Sequence, residues 1–180
     1  MTEEPLAYSS MVEGLKRALG DKVDEAAHLK FEALGIPMRG KPSPTYPRDA
    51  WMRVALYAGE LLNPSLKPEA QRVALGRRFV RGYMDTIVGK ALVAAMRVLG
   101  PKRALMRLEK SFRTGNNYSR CVFRETPEAI ELDILNAPYP EWYEGMVLES
   151  LEVTGAKRIV VEAVRYQPPE ITTYRVRFEG

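Results

Sequence analysis

The sequence predicts an α+β protein, an N-terminal bundle of about five to six helices packed with a C-terminal four-stranded antiparallel sheet in β-β-α-β-β order. Three observations predict it. Through the first two-thirds of the chain apolar residues recur three and four apart, the period of a helix with one buried face. At Thr114-Gly115-Asn116-Asn117 the period shortens to two, that of half-buried strands. The 180 residues, 46% hydrophobic and 28% charged, lie near globular averages without a low-complexity tract. One domain over 1–180 is expected, with a helical part at 1–115 and a strand-rich part at 116–180.

Met11, Leu15 and Leu19 share one face of a first helix that stops at Gly20. Asp21 is read as the cap of a second, which carries Val23, Ala27, Phe31 and Leu34 and ends at Gly35. Pro37, Pro42, Pro44 and Pro47 keep the next segment out of a helix, and its length raises the question of what it covers. A third helix opens at Arg48 or Asp49 and ends near Asn63 and Pro64. Pro68 suits the first turn of a long helix running to Leu99, with Gly76, Gly82 and Gly89 inside it. Each glycine costs roughly 1 kcal/mol against alanine. Gly82 and Gly89, seven apart, mark either a face that admits another backbone or a break into two helices. Gly100-Pro101 ends the element, and another helix spans Lys102 to about Phe112.

Strands are expected at Tyr118–Glu125 and Ala129–Leu135, turning at Thr126-Pro127-Glu128. A helix follows at Pro138–Val153, closed by Gly155. Two more strands, Arg158–Tyr166 and Thr172–Glu179, are joined through Pro168-Pro169. One antiparallel sheet with a helix on one face satisfies that order.

Charge is unevenly spread. Arg72 to Arg113 holds eleven basic and two acidic residues, whereas Gly115 to the end holds seven basic and eleven acidic ones. Such opposite fields imply internal docking of the two parts or an anionic partner for the first. Arg77, Arg78 and Arg81 form one row of cations and Arg103 and Arg107, with Lys110, a second. They are the candidates for an anion-binding face. No helix-turn-helix spacing, RNA-binding aromatic pair or zinc module accompanies them, so nucleic acid is not the expected partner.

Several chemistries lack parts. Cys121 is the one cysteine and His28 the one histidine, which leaves no disulfide, no Cys/His metal set and no triad. Cys121 has Arg120 and Arg124 nearby, which would activate the thiol if they shared its face. Neither a phosphate-binding GxxxxGK[ST] loop nor a strand followed by GxGxxG occurs. The carboxylate pairs Glu128/Glu131 and Glu141/Glu144 fall on solvated faces. An enzyme is not expected, nor a metal or cofactor. Without a basic, apolar leader or a long apolar run, a cytoplasmic location with no membrane span is expected.

Aromatic residues gather near the expected helix–sheet junction, with Asn116-Asn117 beside them. Phe79, Tyr83, Ile87, Phe112, Asn117, Tyr118, Trp142 and Met146 are the candidate walls of an apolar pocket with polar groups at its mouth. The leading reading is a non-enzymatic sensory or adaptor module holding a small apolar or acyl-like ligand between helices and sheet. The alternatives are a protein-interaction module, such as a homodimer using the Gly82/Gly89 face or a sheet edge, and an anionic-surface or nucleic-acid binder using residues 72–113.

The segments Phe79-Val-Arg-Gly-Tyr-Met-Asp-Thr86, Gly100-Pro-Lys-Arg-Ala-Leu105 and Ser111-Phe-Arg-Thr-Gly-Asn-Asn-Tyr118 resemble a paralogous family of unknown function expanded in myxobacteria. The likeness extends to Pro44-Thr-Tyr-Pro47 and Thr173-Tyr-Arg-Val-Arg-Phe178. It implies signalling or regulation rather than a stated activity. In element order the chain is also similar to the superfamily of haem-based nitric-oxide sensors, vinyl-4-reductase-like ligand-binding domains and acyl-holding vesicle-tethering subunits. The haem sensors use a helical histidine in their second half and a Tyr-x-Ser-x-Arg motif. This chain lacks the first, and Tyr118-Ser119-Arg120 lacks the spacing of the second, so the resemblance implies an organic, apolar ligand instead of haem.

Overall fold

A computed structural model describes residues 4–167 and 171–179, so the Pro168-Pro169 connection lies outside the described residues. The chain opens on a short strand, β1 (Leu6–Tyr8), which pairs antiparallel with β2 (Thr45–Pro47), Ala7 opposite Tyr46. This ribbon answers what the proline-rich segment covers. Ile36, Met38 and Tyr46 are buried in the core, and the Tyr46 hydroxyl accepts the Ser43 amide at 2.8 Å. Residues 115–117 lie along the same ribbon: the Tyr8 amide donates to Gly115 O (2.7 Å) and the Asn117 amide to Leu6 O (3.1 Å).

Helix α1 (Ser9–Leu19) runs into a 3-10 turn, Gly20–Lys22, before α2 (Glu25–Ala33). The expected cap moves accordingly. Asp24, not Asp21, accepts the Ala27 amide at 2.8 Å, because Asp21 is taken up by the turn. Helix α3 (Arg48–Leu62) begins after Pro47 and ends at Asn63, and α4 (Pro68–Met84) begins at Pro68, as their signals predict.

The expected long helix to Leu99 is two helices. It breaks at Asp85-Thr86, and α5 (Ile87–Met106) starts on a Thr86 cap: the hydroxyl donates to Tyr83 O (2.7 Å) and accepts the Gly89 amide (3.0 Å). Gly100, at φ 76° and ψ 170°, interrupts the helical backbone ahead of Pro101 where the sequence predicts an end, so α5 is two helical segments across a kink, and the short α6 (Leu108–Arg113) follows.

The sheet is formed by β3 (Arg120–Glu125), β4 (Ile130–Leu135), β5 (Lys157–Gln167) and β6 (Ile171–Glu179), with α7 (Pro140–Val153) between β4 and β5 in the chain. Its spatial order is β3-β4-β6-β5, antiparallel throughout. The rows Cys121/Ile134/Thr172 and Phe123/Leu132/Tyr174 face the helices. Period-two alternation puts Arg120 and Arg124 on the opposite side from Cys121, so neither guanidinium activates that buried thiol. The α+β class and the four-stranded antiparallel sheet are those the sequence predicts; the β1–β2 ribbon is an addition to them.

Helix α4 is the axis of the fold, packed against α1 on one side and α7 on the other. Both contacts run through glycine. A Cβ on Gly82 would press into the α1 backbone at Gly14 and Ala18, and one on Gly76 into the α7 backbone at Trp142. One on Gly89 would meet the end of α4 at Tyr83. The Gly82/Gly89 face considered for a homodimer is therefore filled by the chain itself, and the two glycines sit on different helices.

Candidate functional site

The cavity at the centre of the molecule follows from how α4, α5 and α7 meet. Helix α7 contacts the sheet at β5, and the Tyr174 hydroxyl of β6 donates to Pro140 O at 2.6 Å, which fixes the start of α7. Trp142 and Met146 then point away from the sheet, toward α4. On α4, Phe79 and Tyr83 are one helical turn apart on the facing side. Trp51 of α3 completes a cluster of rings, with centroids 5.9 Å from Phe79 and 6.2 Å from Trp142, while Phe79 and Trp142 are 5.2 Å apart.

Above these rings lies a cavity of about 80 Å³. Phe79, Tyr83, Trp142 and Met146 line it, and Phe112 of α6 and Tyr118 close one end. Leu92, Val93 and Met96 of α5 form the roof. Six of the eight residues that the sequence singled out are thus brought to one space. Ile87 and Asn117 are not. Restarting the helix at Thr86 turns Ile87 outward, where it is 89% exposed. Asn117 ties down the terminus, its Oδ1 accepting the Leu6 amide (2.7 Å) and its Nδ2 donating to Glu4 O (2.9 Å).

Asn116 lines the cavity in its place. Its Oδ1 accepts the Tyr118 and Ser119 amides (3.1 and 2.6 Å), while its buried Nδ2 has only the Met11 sulfur, at 3.9 Å. That is a weak acceptor for an amide donor. Leu92, Val93 and Met96 were missed because the helix was read as continuous; the Thr86-x-x-Gly89 cap was the signal that could have found them.

The wall is neutral. Burial, aided by the neighbouring Tyr143, pushes the Tyr118 phenol far above its ordinary value. Burial likewise raises Tyr143, against the opposing hydrogen bond with Ser119 at 3.2 Å. Both phenols stay protonated. Among the described residues no carboxylate, imidazole or thiol lines the cavity.

The cations proposed for an anion face are placed differently. Arg77 and Arg81 both reach Glu149 on α7, at 3.1 and 2.6 Å, and Arg77 also reaches Glu152. Glu149 is only 4% exposed, so this carboxylate is the shared acceptor inside the α4–α7 seam. Arg78 donates to Ala18 O at 2.6 Å. Arg107 also has an interaction, while Arg103 is exposed without an ion pair among the described residues. Arg77 and Arg81 thus tie the helical part to the acidic α7, and Arg78 ties α4 to α1, while Arg78 and Arg81 remain exposed.

A family model described as a protein of unknown function (DUF2378) matches residues 6–179. No curated protein matches the chain significantly. Among solved structures, the chain is similar to an H-NOX protein from S. oneidensis in the Fe(II)NO ligation state, with a TM-score of 0.74 at 9% identity, covering 96% of this chain and 99% of that one. It is similar too to an oxygen-binding H-NOX domain related to soluble guanylate cyclases (TM-score 0.61, 14% identity, 95% and 92% covered). A doubly substituted Tt H-NOX gives a TM-score of 0.68 at 16% identity, again with 95% and 92% covered.

At these identities the likeness concerns the fold, and the residues here do not fit a haem. The sole imidazole, His28, is on α2 and off the cavity wall, with Nδ1 buried and unpartnered. The Tyr118 and Tyr143 phenols are held neutral, no basic side chain among the described residues lines the cavity to receive propionates, and about 80 Å³ is far below the ~300–1,000 Å³ of sites for larger ligands.

Proposed function

The chain belongs to the DUF2378 family, and from its central cavity we propose that it is a non-enzymatic sensor module for a small, uncharged, mostly apolar ligand. The observation that carries this reading is a cavity walled by Phe79, Phe112, Trp142 and Met146, with one buried amide donor, Asn116 Nδ2, lacking an oxygen acceptor. Aliphatic and aromatic walls supply affinity, and a ligand oxygen accepting from Asn116 supplies orientation. That no charged group among the described residues lines the wall favours binding over catalysis. The fold shared with H-NOX proteins, and the myxobacterial paralogues that the Phe112–Tyr118 run resembles, agree with a sensory role.

In this reading α5 transmits the signal. It is bounded by the Thr86 cap and the Gly100 kink and makes sparing contacts with the rest of the fold. An occupant larger than about 80 Å³, such as an acyl chain, is admitted only if Leu92, Val93 and Met96 move outward. A ligand shifts such an equilibrium only by its differential affinity for the two positions.

Native mass spectrometry of freshly purified protein, before and after denaturation, tests for a retained ligand. Xenon, which enters dry cavities of this kind, tests the space itself through methyl NMR shifts of Met96 and Met146. Wild type should show xenon-dependent shifts, and Val93→Phe, which fills the cavity from its roof, should not. Identical xenon responses in both proteins would overturn the reading.

A further inference from the structure

Helix α5 is apolar on two sides. Leu92, Val93 and Met96 face the cavity, and Ile87, Ala91, Ala94 and Val98 form a second stripe on the opposite side. Spaced at i, i+4, i+7 and i+11, they share one face. All four are exposed, Ile87 at 89% and Val98 at 88%. A helix that is apolar on both sides is ordinarily covered on both.

Cations dominate the charge around this stripe, with Asp85 as the acid just ahead of it. Lys90 and Arg97, seven apart, run along its border, and Arg103 follows beyond the kink. No acidic residue occurs between Thr86 and Leu108. None of these three cations makes an ion pair among the described residues, in contrast to Arg77 and Arg81.

We propose that the outer face of α5 docks on an anionic phospholipid surface. Ile87 and Val98 enter the boundary between headgroups and acyl chains, and Lys90, Arg97 and Arg103 meet the lipid phosphates. The helix lies on the surface and does not cross it, since among the described residues no helix is long and apolar enough to span a membrane. A second copy is a poorer occupant: four small aliphatic side chains supply a fraction of the roughly 800 Å² per partner of a stable interface. A two-fold pairing would also gather Lys90, Arg97 and Arg103 of each copy around one contact, with Asp85 the acid beside them among the described residues. Nucleic acid would meet the cations but leave the apolar stripe unmatched. The proposal is independent of what the cavity holds.

Vesicle co-sedimentation of the full chain tests it, with phosphatidylcholine alone and with added phosphatidylglycerol. Binding should require phosphatidylglycerol and weaken with salt. Lys90→Glu with Arg97→Glu should reduce it by at least about tenfold, and Val98→Asp should also reduce it. Lys30→Glu, on exposed α2, should leave it unchanged. The substituted side chains are exposed, and thermal unfolding of each variant checks that it folds. No binding, equal binding to both vesicles, or binding insensitive to Lys90, Arg97 and Val98 would overturn the proposal. So would a dimer that Val98→Asp dissociates in the absence of lipid-dependent binding, or DNA retention through the same cations with no lipid binding.

Discussion

Two glycines with opposite expected responses test the account of the α4–α7 seam. A Cβ on Gly76 would lie under 3.0 Å from the Trp142 carbonyl, which is backbone in the middle of a packed helix and has no rotamer to change. The helices would have to separate by about an ångström, at a typical overpacking cost of about 1–3 kcal/mol or more. Alanine returns about 1 kcal/mol of helix propensity. Because the obstacle is backbone, the upper part of the range applies, and Gly76→Ala should lose about 2 kcal/mol net. Gly59, also buried within a helix, is different: its added Cβ would find Leu75 Cδ2 at 3.5 Å and Gln71 O at 3.6 Å, ordinary contact. Gly59→Ala should gain about 0.5–1 kcal/mol. For a chain of this size that is a melting temperature lower by about 4–8 °C for the first and higher by about 1–4 °C for the second. Thermal and urea unfolding of both variants measure it. A neutral or stabilising Gly76→Ala, or a Gly59→Ala that destabilises as much, would refute the reasoning.

The electrostatics yield two further tests. Glu149→Gln keeps the shape but removes the charge that Arg77 and Arg81 share; since Arg81 is 62% exposed and can return to water, the loss in urea unfolding should be about 1 kcal/mol, and none at all would mean the pairs contribute nothing. For Asp133, burial would raise the carboxyl, but hydrogen bonds from Arg124 and Thr173, with the Arg124 charge, outweigh it and hold the pKa below the usual value. A depressed folded pKa contributes stability above the unfolded value of about 3.9 and loses it as pH falls through the folded one. Asp133→Asn should therefore show a shallower drop in urea midpoint below about pH 4, and parallel curves for the two proteins would count against the assignment.

Local signals carried the fold where they were strong. Pro68 at a helix start, the change of period at Thr114–Asn117 and the alternation from Arg120 onward each reflect the backbone around the residues concerned. The β1–β2 ribbon was not legible, because three-residue strands have no measurable period and pair across about forty intervening residues. The cavity was partly legible for a related reason. Phe79, Tyr83, Trp142 and Met146 are placed by helical spacing that survives errors at helix ends. Ile87 depends on the register after Thr86, and a restarted helix turns its side chain to solvent. Asn116 and Asn117 differ by one residue in extended chain, where one step reverses the side. Neighbouring α4 and α7 put Arg77 and Arg81 on Glu149, a pairing visible in the sequence only as opposite charge in two halves.

The cavity itself has an energetic meaning. At about 24 cal/mol per Å³, some 80 Å³ of unfilled space withholds roughly 2 kcal/mol from the folded state. That is a substantial share of the 5–15 kcal/mol typical of a domain, and the surrounding rings could have closed it by modest changes of size. Trp51 instead packs edge to face on Phe79 and Trp142, which tilt against each other, and the three leave the space beneath α5 open. A ligand there regains the missing contacts and binds only the folded chain. Stability and occupancy are then linked, and a ligand at a hundred times its Kd adds about 2.7 kcal/mol. Because the same helix roofs that space and presents the cationic, apolar outer face, whatever fills the cavity also sets how α5 is held.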